Sequence, residues 1–266
     1  MADPTVNIPD EVQYSVEGGV ARVTINRPDR HNSMSYAVMH GLRASMVAAR
    51  ADDAVRVVVL SGAGERAFCA GADLGGIGEN PSAAEVHDSR GMLADLFRDM
   101  WGLGKPTVAK VRGYALAGGF GLALACDFVI AADDAQFGTP EIDRGLWPYM
   151  ITVPLLRSMP PKKALDLMLT GRRVDAAEAD RIGFVTRVVA VAELDAVVDE
   201  LCATLVDKPP VITRWGRDAF YRVLDMSADD ALAYLQPMLS VTTYTEDTAE
   251  GIAAFLEKRK PQWKGR

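Results

Sequence analysis

Two glycine-containing turns and one carboxylate carry the chemistry that can be read from this chain. The first turn, Tyr114-Ala115-Leu116-Ala117-Gly118-Gly119-Phe120-Gly121, follows a strand-like run from Thr107 to Val111 and leads into an apolar helical run from Leu122 to Ala125. Glycines carry no Cβ, so a ligand oxygen can approach main-chain N–H groups at a helix start, which have no intrahelical partner and lie where the dipole favours negative charge. Such a turn is one half of an oxyanion hole. The second turn, Phe68-Cys69-Ala70-Gly71-Ala72-Asp73, comes after the buried-strand pattern Val55 to Leu60 and a loop containing Gly62 and Gly64. It can offer a second, converging donor. The third element, Phe137-Gly138-Thr139-Pro140-Glu141-Ile142, sets one carboxylate among apolar neighbours, where desolvation raises its pKa and suits it to proton transfer near neutrality. Either glycine turn alone reads first as a tight turn with no ligand, and Glu141 alone can be read as a structural loop carboxylate. Together they suggest enolate chemistry.

The elements that must hold these groups follow an α/β pattern, short strands alternating with helical runs. Tyr14–Val16 and Val20–Ile25 flank Glu17-Gly18-Gly19 as a hairpin. An amphipathic helix is expected over about residues 82–102, with Val86, Leu93, Leu96, Phe97 and Met100 on one face and Pro106 beyond its end. Pro161 opens a helix running to Leu169, which Gly171 closes, and Asp175-Ala176-Ala177-Glu178 resembles a capping box. Pro209-Pro210 marks a break, after which the sequence is helix-rich with no clear strand signal. No internal repeat or low-complexity segment is evident.

At 266 residues and 49% hydrophobic content the chain can bury a sizeable core. A net charge of −7 argues against nucleic acid as a partner, although the tail from Glu257 to Arg266 is locally basic and reads either as a solvated helix end or as a phosphate contact. Cys69, Cys126 and Cys202 show no ligand-like spacing, so they read as core residues, and His31, His40 and His87 form no triad or metal set. No apolar run approaches bilayer-spanning length, and the amino-terminal residues show no basic-then-apolar leader, so a cytoplasmic protein with no membrane partner is expected. A dinucleotide-binding GxGxxG after the first strand, a P-loop and a GxSxG elbow are all absent.

In their order and spacing the three segments resemble the crotonase (enoyl-CoA hydratase/isomerase) superfamily. The likeness runs nearly end to end. It includes Asn26-Arg27-Pro28 with Asn32-Ser33-Met34, Gly71-Ala72-Asp73, Lys105-Pro106, Gly113-Tyr114-Ala115, Cys126-Asp127, Gln136-Phe137-Gly138, Pro140-Glu141-Ile142, Leu169-Thr170-Gly171, and Glu250-Gly251 through Lys260. The resemblance implies an α/β fold, a crotonase-like spiral of ββα units over residues 1–207 bearing the acyl-CoA site, with a helical C-terminal region over 208–266 that assembles trimers or hexamers. It further implies that the backbone N–H groups of Ala72 and Gly118 grip a thioester carbonyl, that Glu141 is the acid/base, and that coenzyme A arrives as part of the substrate, with no separate cofactor and no metal. Contacts to the acyl-CoA are then expected from Arg30 and His31, from Ala70, Gly71 and Gly119, from Trp147, and from Lys258.

One position departs from the pattern. Hydratases of this family commonly use two glutamates to hold the attacking water, and the second would fall where this chain has Gly121. A single base favours moving a double bond from the 3 to the 2 position of an acyl-CoA, with Glu141 taking a proton at the α-carbon and returning it at the γ-carbon. Two alternatives stand beside it: a hydratase in which another polar group, Asp143 or a tyrosine hydroxyl, replaces the missing glutamate, and a non-catalytic protein that binds acyl-CoA. Bulky residues in Arg144 to Ile151, Trp147 and Tyr149 among them, are expected to reshape the acyl pocket.

Overall fold

Gly18 and Gly19, both at positive φ, turn the chain between β1 (Val12–Glu17) and β2 (Val20–Ile25), which pair antiparallel as the hairpin pattern requires. The computed structural model describes residues 7–73 and 82–266; the first six residues and the Val86 side chain lie outside the described set. Helix α1 (Tyr36–Ala51) follows, capped by the Ser35 hydroxyl accepting from the Val38 N–H.

From there the chain repeats one unit, two strands and then a helix. β3 (Val57–Gly62) and β4 (Ala67–Cys69) lead to α2 (Ala83–Trp101); β5 (Thr107–Val111) and β6 (Tyr114–Leu116) lead to α3 (Gly118–Leu124); β7 (Phe128–Ala132) and β8 (Gln136–Gly138) lead to α4 (Thr152–Ser158) and α5 (Pro161–Thr170). The first strand of each pair joins one six-stranded sheet and the second joins another of four, so the chain winds as a spiral of ββα turns. β9 (Arg173–Asp175) closes the smaller sheet and β10 (Arg187–Val189) the larger, with α6 (Ala176–Ile182) between them.

The strands of the large sheet run parallel from β2 through β3, β5 and β7 to β10. Covered on both faces, they read as unbroken apolar stretches such as Val57-Val58-Val59-Leu60, all buried. One face packs into the main core with α1, α2 and α3; the other packs on α7 (Leu194–Val206) through Val57, Val59, Val108, Ile130, Val198 and Cys202. All three cysteines are buried and free, and burial pushes the Cys69 thiol up to about 12, so it behaves as a small apolar side chain.

The stretch from Tyr114 to Gly121 is not one turn, which corrects the sequence reading. Tyr114–Leu116 is a strand, and the helix begins at Gly118 rather than Leu122. Every residue of α3 is buried, so packing overrides the poor helix propensity of three glycines. Gly171 and Asp175 behave as expected: Gly171 ends α5 in the left-handed region, and the Asp175 carboxylate accepts from the Glu178 N–H. Beyond residue 207 the chain is helical, α8 (Pro210–Val223), α9 (Ala228–Thr242) and α10 (Glu246–Glu257). A buried cluster docks α8 on the core. The Arg217 guanidinium donates to the Asp127 carboxylate and to the carbonyls of Met100 and Trp101, while the Tyr221 hydroxyl donates to the other Asp127 oxygen.

Among the described residues no helix is long and apolar enough to cross a membrane, and no group of three or more His, Cys, Asp or Glu side chains is placed to hold a metal.

Candidate active site

β4, β6 and β8 lie side by side and parallel, and each of the three chemical groups leaves the carboxyl end of one of them. Ala72 follows β4, Gly118 follows β6 and Glu141 follows β8. Neighbouring strands are about 4.8 Å apart, so three consecutive exits open onto one small volume, at the strand ends where parallel sheets bind ligands.

Backbone bonding sets the direction of the Ala72 N–H. The Met34 N–H donates to the Gly71 carbonyl at 2.8 Å and the Met34 carbonyl accepts from the Asp73 N–H at 3.0 Å, a parallel bridge centred on Met34 and Ala72. In a trans peptide the N–H points opposite to the carbonyl of the same unit. With the Gly71 carbonyl turned to Met34, the Ala72 N–H points away from it. Gly71 then explains how near the second donor comes: at φ 98° it occupies a conformation that L side chains rarely adopt, and a Cβ there would lie 2.7 Å from the Ala117 Cβ and 3.5 Å from the Gly118 nitrogen. Ala117, at φ 51°, is held by donating its N–H to the Gly138 carbonyl, which also ties the β6 exit to the β8 exit. Strain of this kind, of the order of 1–3 kcal/mol, persists where surrounding bonds impose it. Among the described residues neither the Ala72 N–H nor the Gly118 N–H donates a hydrogen bond. Two unspent donors on adjoining turns suit a developing oxyanion.

Glu141 is placed by its anchor. The buried Thr139 hydroxyl donates to the Leu167 carbonyl on α5, fixing the β8 exit, and Glu141 follows two residues on. Its Oε2 is buried without a hydrogen-bond partner among the described residues. Desolvation holds its carboxyl above the ordinary glutamate range, opposed by a hydrogen bond from its own backbone and by the Arg144 charge. A desolvated carboxylate with one idle oxygen is equipped to take up a proton.

The loop bearing Arg30 and His31 packs against the Ala72 turn. The His31 carbonyl accepts from the Ala70 N–H at 3.0 Å, so Arg30, His31, Ala70 and Gly71 border one region, with the Arg30 and His31 side chains exposed. Gly119 packs so closely on Cys69 that a Cβ would fall 2.1 Å from the Cys69 carbonyl oxygen, which seats α3 on β4. Trp147 is partly buried against the main core. Asp143 is exposed and rests against Gly171, and Tyr149 is 73% exposed. Lys258 lies apart, at the end of α10 in the left-handed region. Its neighbours in the basic tail are matched to acids of their own chain: Arg259 to Glu250 and Glu257, Lys260 to Asp207, and Lys264 and Arg266 to Glu246.

Three features escaped the sequence reading. Asn32 is fully buried at φ 55°, donating to the carbonyls of Ala63 and Ala67 and accepting from the Arg27 N–H. Arg27 in turn pairs with Asp73 at 2.8 Å, so the residue after Ala72 is clamped by a side chain as well as by the bridge. The only signals for either were the Asn-Arg-Pro and Asn-Ser-Met tripeptides. The third feature concerns Gly121. A Cβ there would lie 2.3 Å from Ile151 Cγ2, 2.7 Å from Ile151 Cβ and 3.2 Å from Phe97 Cζ. The space into which a side chain at position 121 would project is already filled.

The family model for enoyl-CoA hydratase/isomerase matches residues 15–266. A probable enoyl-CoA hydratase of Rhizobium meliloti is 38% identical over 255 residues, 94% of this chain and 96% of the relative. A carnitinyl-CoA dehydratase of Escherichia coli K12 is 35% identical over 97% of this chain and 99% of its own length. The crystal structure of an enoyl-CoA hydratase from Mycobacterium smegmatis superimposes with a TM-score of 0.92 at 32% identity, covering 96% of this chain and 99% of that one. With the spiral and the paired exits already in place, the chain is an enzyme of hydratase/isomerase type and belongs to the enoyl-CoA hydratase/isomerase family of the crotonase superfamily.

Proposed function

We propose that the protein acts on an enoyl-CoA thioester with Glu141 as its one acid/base, and that it moves a double bond between the 3 and 2 positions rather than adding water across it. The thioester carbonyl accepts from the Ala72 and Gly118 N–H groups, Glu141 removes a proton from the α-carbon, the enolate is held by the two donors, and the same carboxyl returns the proton at the γ-carbon. One donor of such a pair is worth about 3 kcal/mol in the transition state. The observation that carries this reading is the occupied space at Gly121: Ile151 and Phe97 crowd the position from which a second carboxylate side chain would have to extend.

The coenzyme A portion lies along Arg30, His31, Ala70 and Gly71, with Lys258 reaching it across a subunit boundary in a homotrimer or hexamer. Exposed Leu232 and Leu239 on α9, Tyr244 in the turn after it, and Phe255 and Leu256 on α10 favour such an assembly. Hydration is the second reading, favoured by relatives described as probable enoyl-CoA hydratases and carnitinyl-CoA dehydratases. A purely binding role is disfavoured by the partnerless, desolvated Glu141 oxygen.

The test incubates the protein with 2-enoyl-CoA and 3-enoyl-CoA esters and identifies products by mass and chromatography. Isomerisation without incorporation of water is expected, lost in Glu141→Gln while acyl-CoA binding is retained. Efficient hydration by the parent overturns the one-base mechanism, and a fully active Glu141→Gln removes Glu141 from it.

A further inference from the structure

Three pairs of residues, one of each pair on α2 and the other on α3, define three levels. At the first, the Cβ position of Gly118 lies 2.6 Å from Met34 Cε and 3.5 Å from Leu93 Cδ2. At the second, one turn on along both helices, the Cβ position of Gly121 meets Ile151 and Phe97. At the third, Trp101, Leu124 and Pro154 line a cavity of about 440 Å³ that continues outward beneath α8. Leu93, Phe97 and Trp101 are spaced four apart on α2, and Gly118, Gly121 and Leu124 three apart on α3, so each set forms a stripe on one helix face. Ile151 precedes α4 directly, and Pro154 lies three residues further along the same helix. The middle level is thus closed while the level behind it is hollow.

The geometry points to Phe97 and Ile151 as the floor of the acyl compartment, limiting the substrate to short acyl chains of about four or five carbons. This rests on the reading in which a thioester oxygen is held at the Gly118 N–H. From Gly118 to Gly121 the helix advances about 4.5 Å at 1.5 Å per residue, room for roughly three or four C–C bonds of about 1.5 Å beyond the carbonyl. A longer chain running that way meets Ile151 and the Phe97 ring. That ring is backed by Trp101, with centroids 5.9 Å apart, and Trp101 is covered by the Arg157 guanidinium at 4.8 Å, so the floor is supported from behind. Truncating either floor side chain deepens the compartment.

The test is binding of saturated butanoyl-, octanoyl- and dodecanoyl-CoA by calorimetry, which requires no turnover, on the parent, Phe97→Ala and Ile151→Ala. The parent should bind butanoyl-CoA at least tenfold more tightly than dodecanoyl-CoA, and each variant should shift that ratio at least tenfold toward the longer ester. Phe97→Leu, a milder truncation checked by circular dichroism, serves if an alanine variant does not fold. Equal binding of short and long esters by the parent overturns the floor while leaving the thioester reading intact, as does an unchanged ratio in folded variants. Failure of every ester to bind overturns both.

Discussion

Adding one methyl group at position 121 tests whether the second carboxylate position is closed by packing rather than vacant. In a helix interior, Gly→Ala ordinarily stabilises by about 0.5–1 kcal/mol. Here the new Cβ would fall 2.3 Å from Ile151 Cγ2 and 2.7 Å from Ile151 Cβ, separations that no relaxed core allows, with Phe97 Cζ at 3.2 Å blocking retreat on the other side. Overpacking of this kind costs about 1–3 kcal/mol. The costs outweigh the helix gain, so Gly121→Ala should be less stable than the parent by about 1–2 kcal/mol, a fall of about 2–8 °C in Tm for a chain of this size. The same substitution in an Ile151→Ala background removes the nearest clash, and the cycle should show a favourable coupling of about 1 kcal/mol or more, beyond the 0.3–0.5 kcal/mol within which independent sites add. Urea midpoints and thermal melts of the four proteins read this directly. A Gly121→Ala protein as stable as its parent, or an additive cycle, refutes the claim that Ile151 occupies the position.

Three further outcomes follow from the buried charges. Glu141 has its folded pKa raised by desolvation, so its contribution to stability is complete below the ordinary glutamate range and is lost as pH rises through the raised value; Glu141→Gln should therefore gain on the parent in urea midpoint as pH increases, and a constant difference counts against burial as the cause. If Glu141 is the base, as proposed, it must be ionised to act, so the acid limb of kcat/KM should lie above the ordinary glutamate range, and a limb within that range removes desolvation from the mechanism. Arg217 is 7% exposed at its side chain and Asp127 16%, so Arg217→Met should cost about 3–5 kcal/mol by leaving Asp127 without its cation. A variant with an unaltered denaturation midpoint would show that α8 docks by apolar contact alone.

What the sequence conveys about this fold depends on how local the signal is. The hairpin, α2 and α5 are announced by glycine turns, apolar stripes or proline boundaries within a few residues, and the region of α8–α10 reads only as helix-rich beyond a proline break. Helix α1 is absent from that reading, although Val38, Leu42, Met46 and Ala49 recur at helical spacing. β4, β6 and β8 are three residues each, too short to show an alternation, and so two of them read as parts of turns. The division into two sheets, which brings the three exits together, has no local signature at all. The two glycine turns and the carboxylate of Glu141 were nonetheless visible as candidates, because a strand followed by a glycine turn and a carboxylate among apolar residues both have local causes, whereas the Ala72 and Gly118 N–H groups were singled out by the family resemblance. Ile151 against Gly121 was not, since thirty residues separate them and only packing joins them.

That long-range contact changes what the missing glutamate means. A glycine standing in open space would leave room for a water that some other group could orient, and hydration would survive with a substitute acid. At Gly121 the Cβ position itself is occupied, and the residue that occupies it lies on the same segment as Glu141, ten positions on. In the proposed reaction the segment from Glu141 to Ile151 would supply both the carboxyl that carries the proton and the apolar side chain that fills the Cβ position of residue 121. A proton shuttled between two carbons of one substrate is retained only if solvent cannot exchange it, and a filled position 121 removes one route for that exchange. The chemistry and the packing then make the same demand: restoring a carboxylate at position 121 without shortening Ile151 places a charge in an apolar slot with no partner, which destabilises the fold before it can add water to anything.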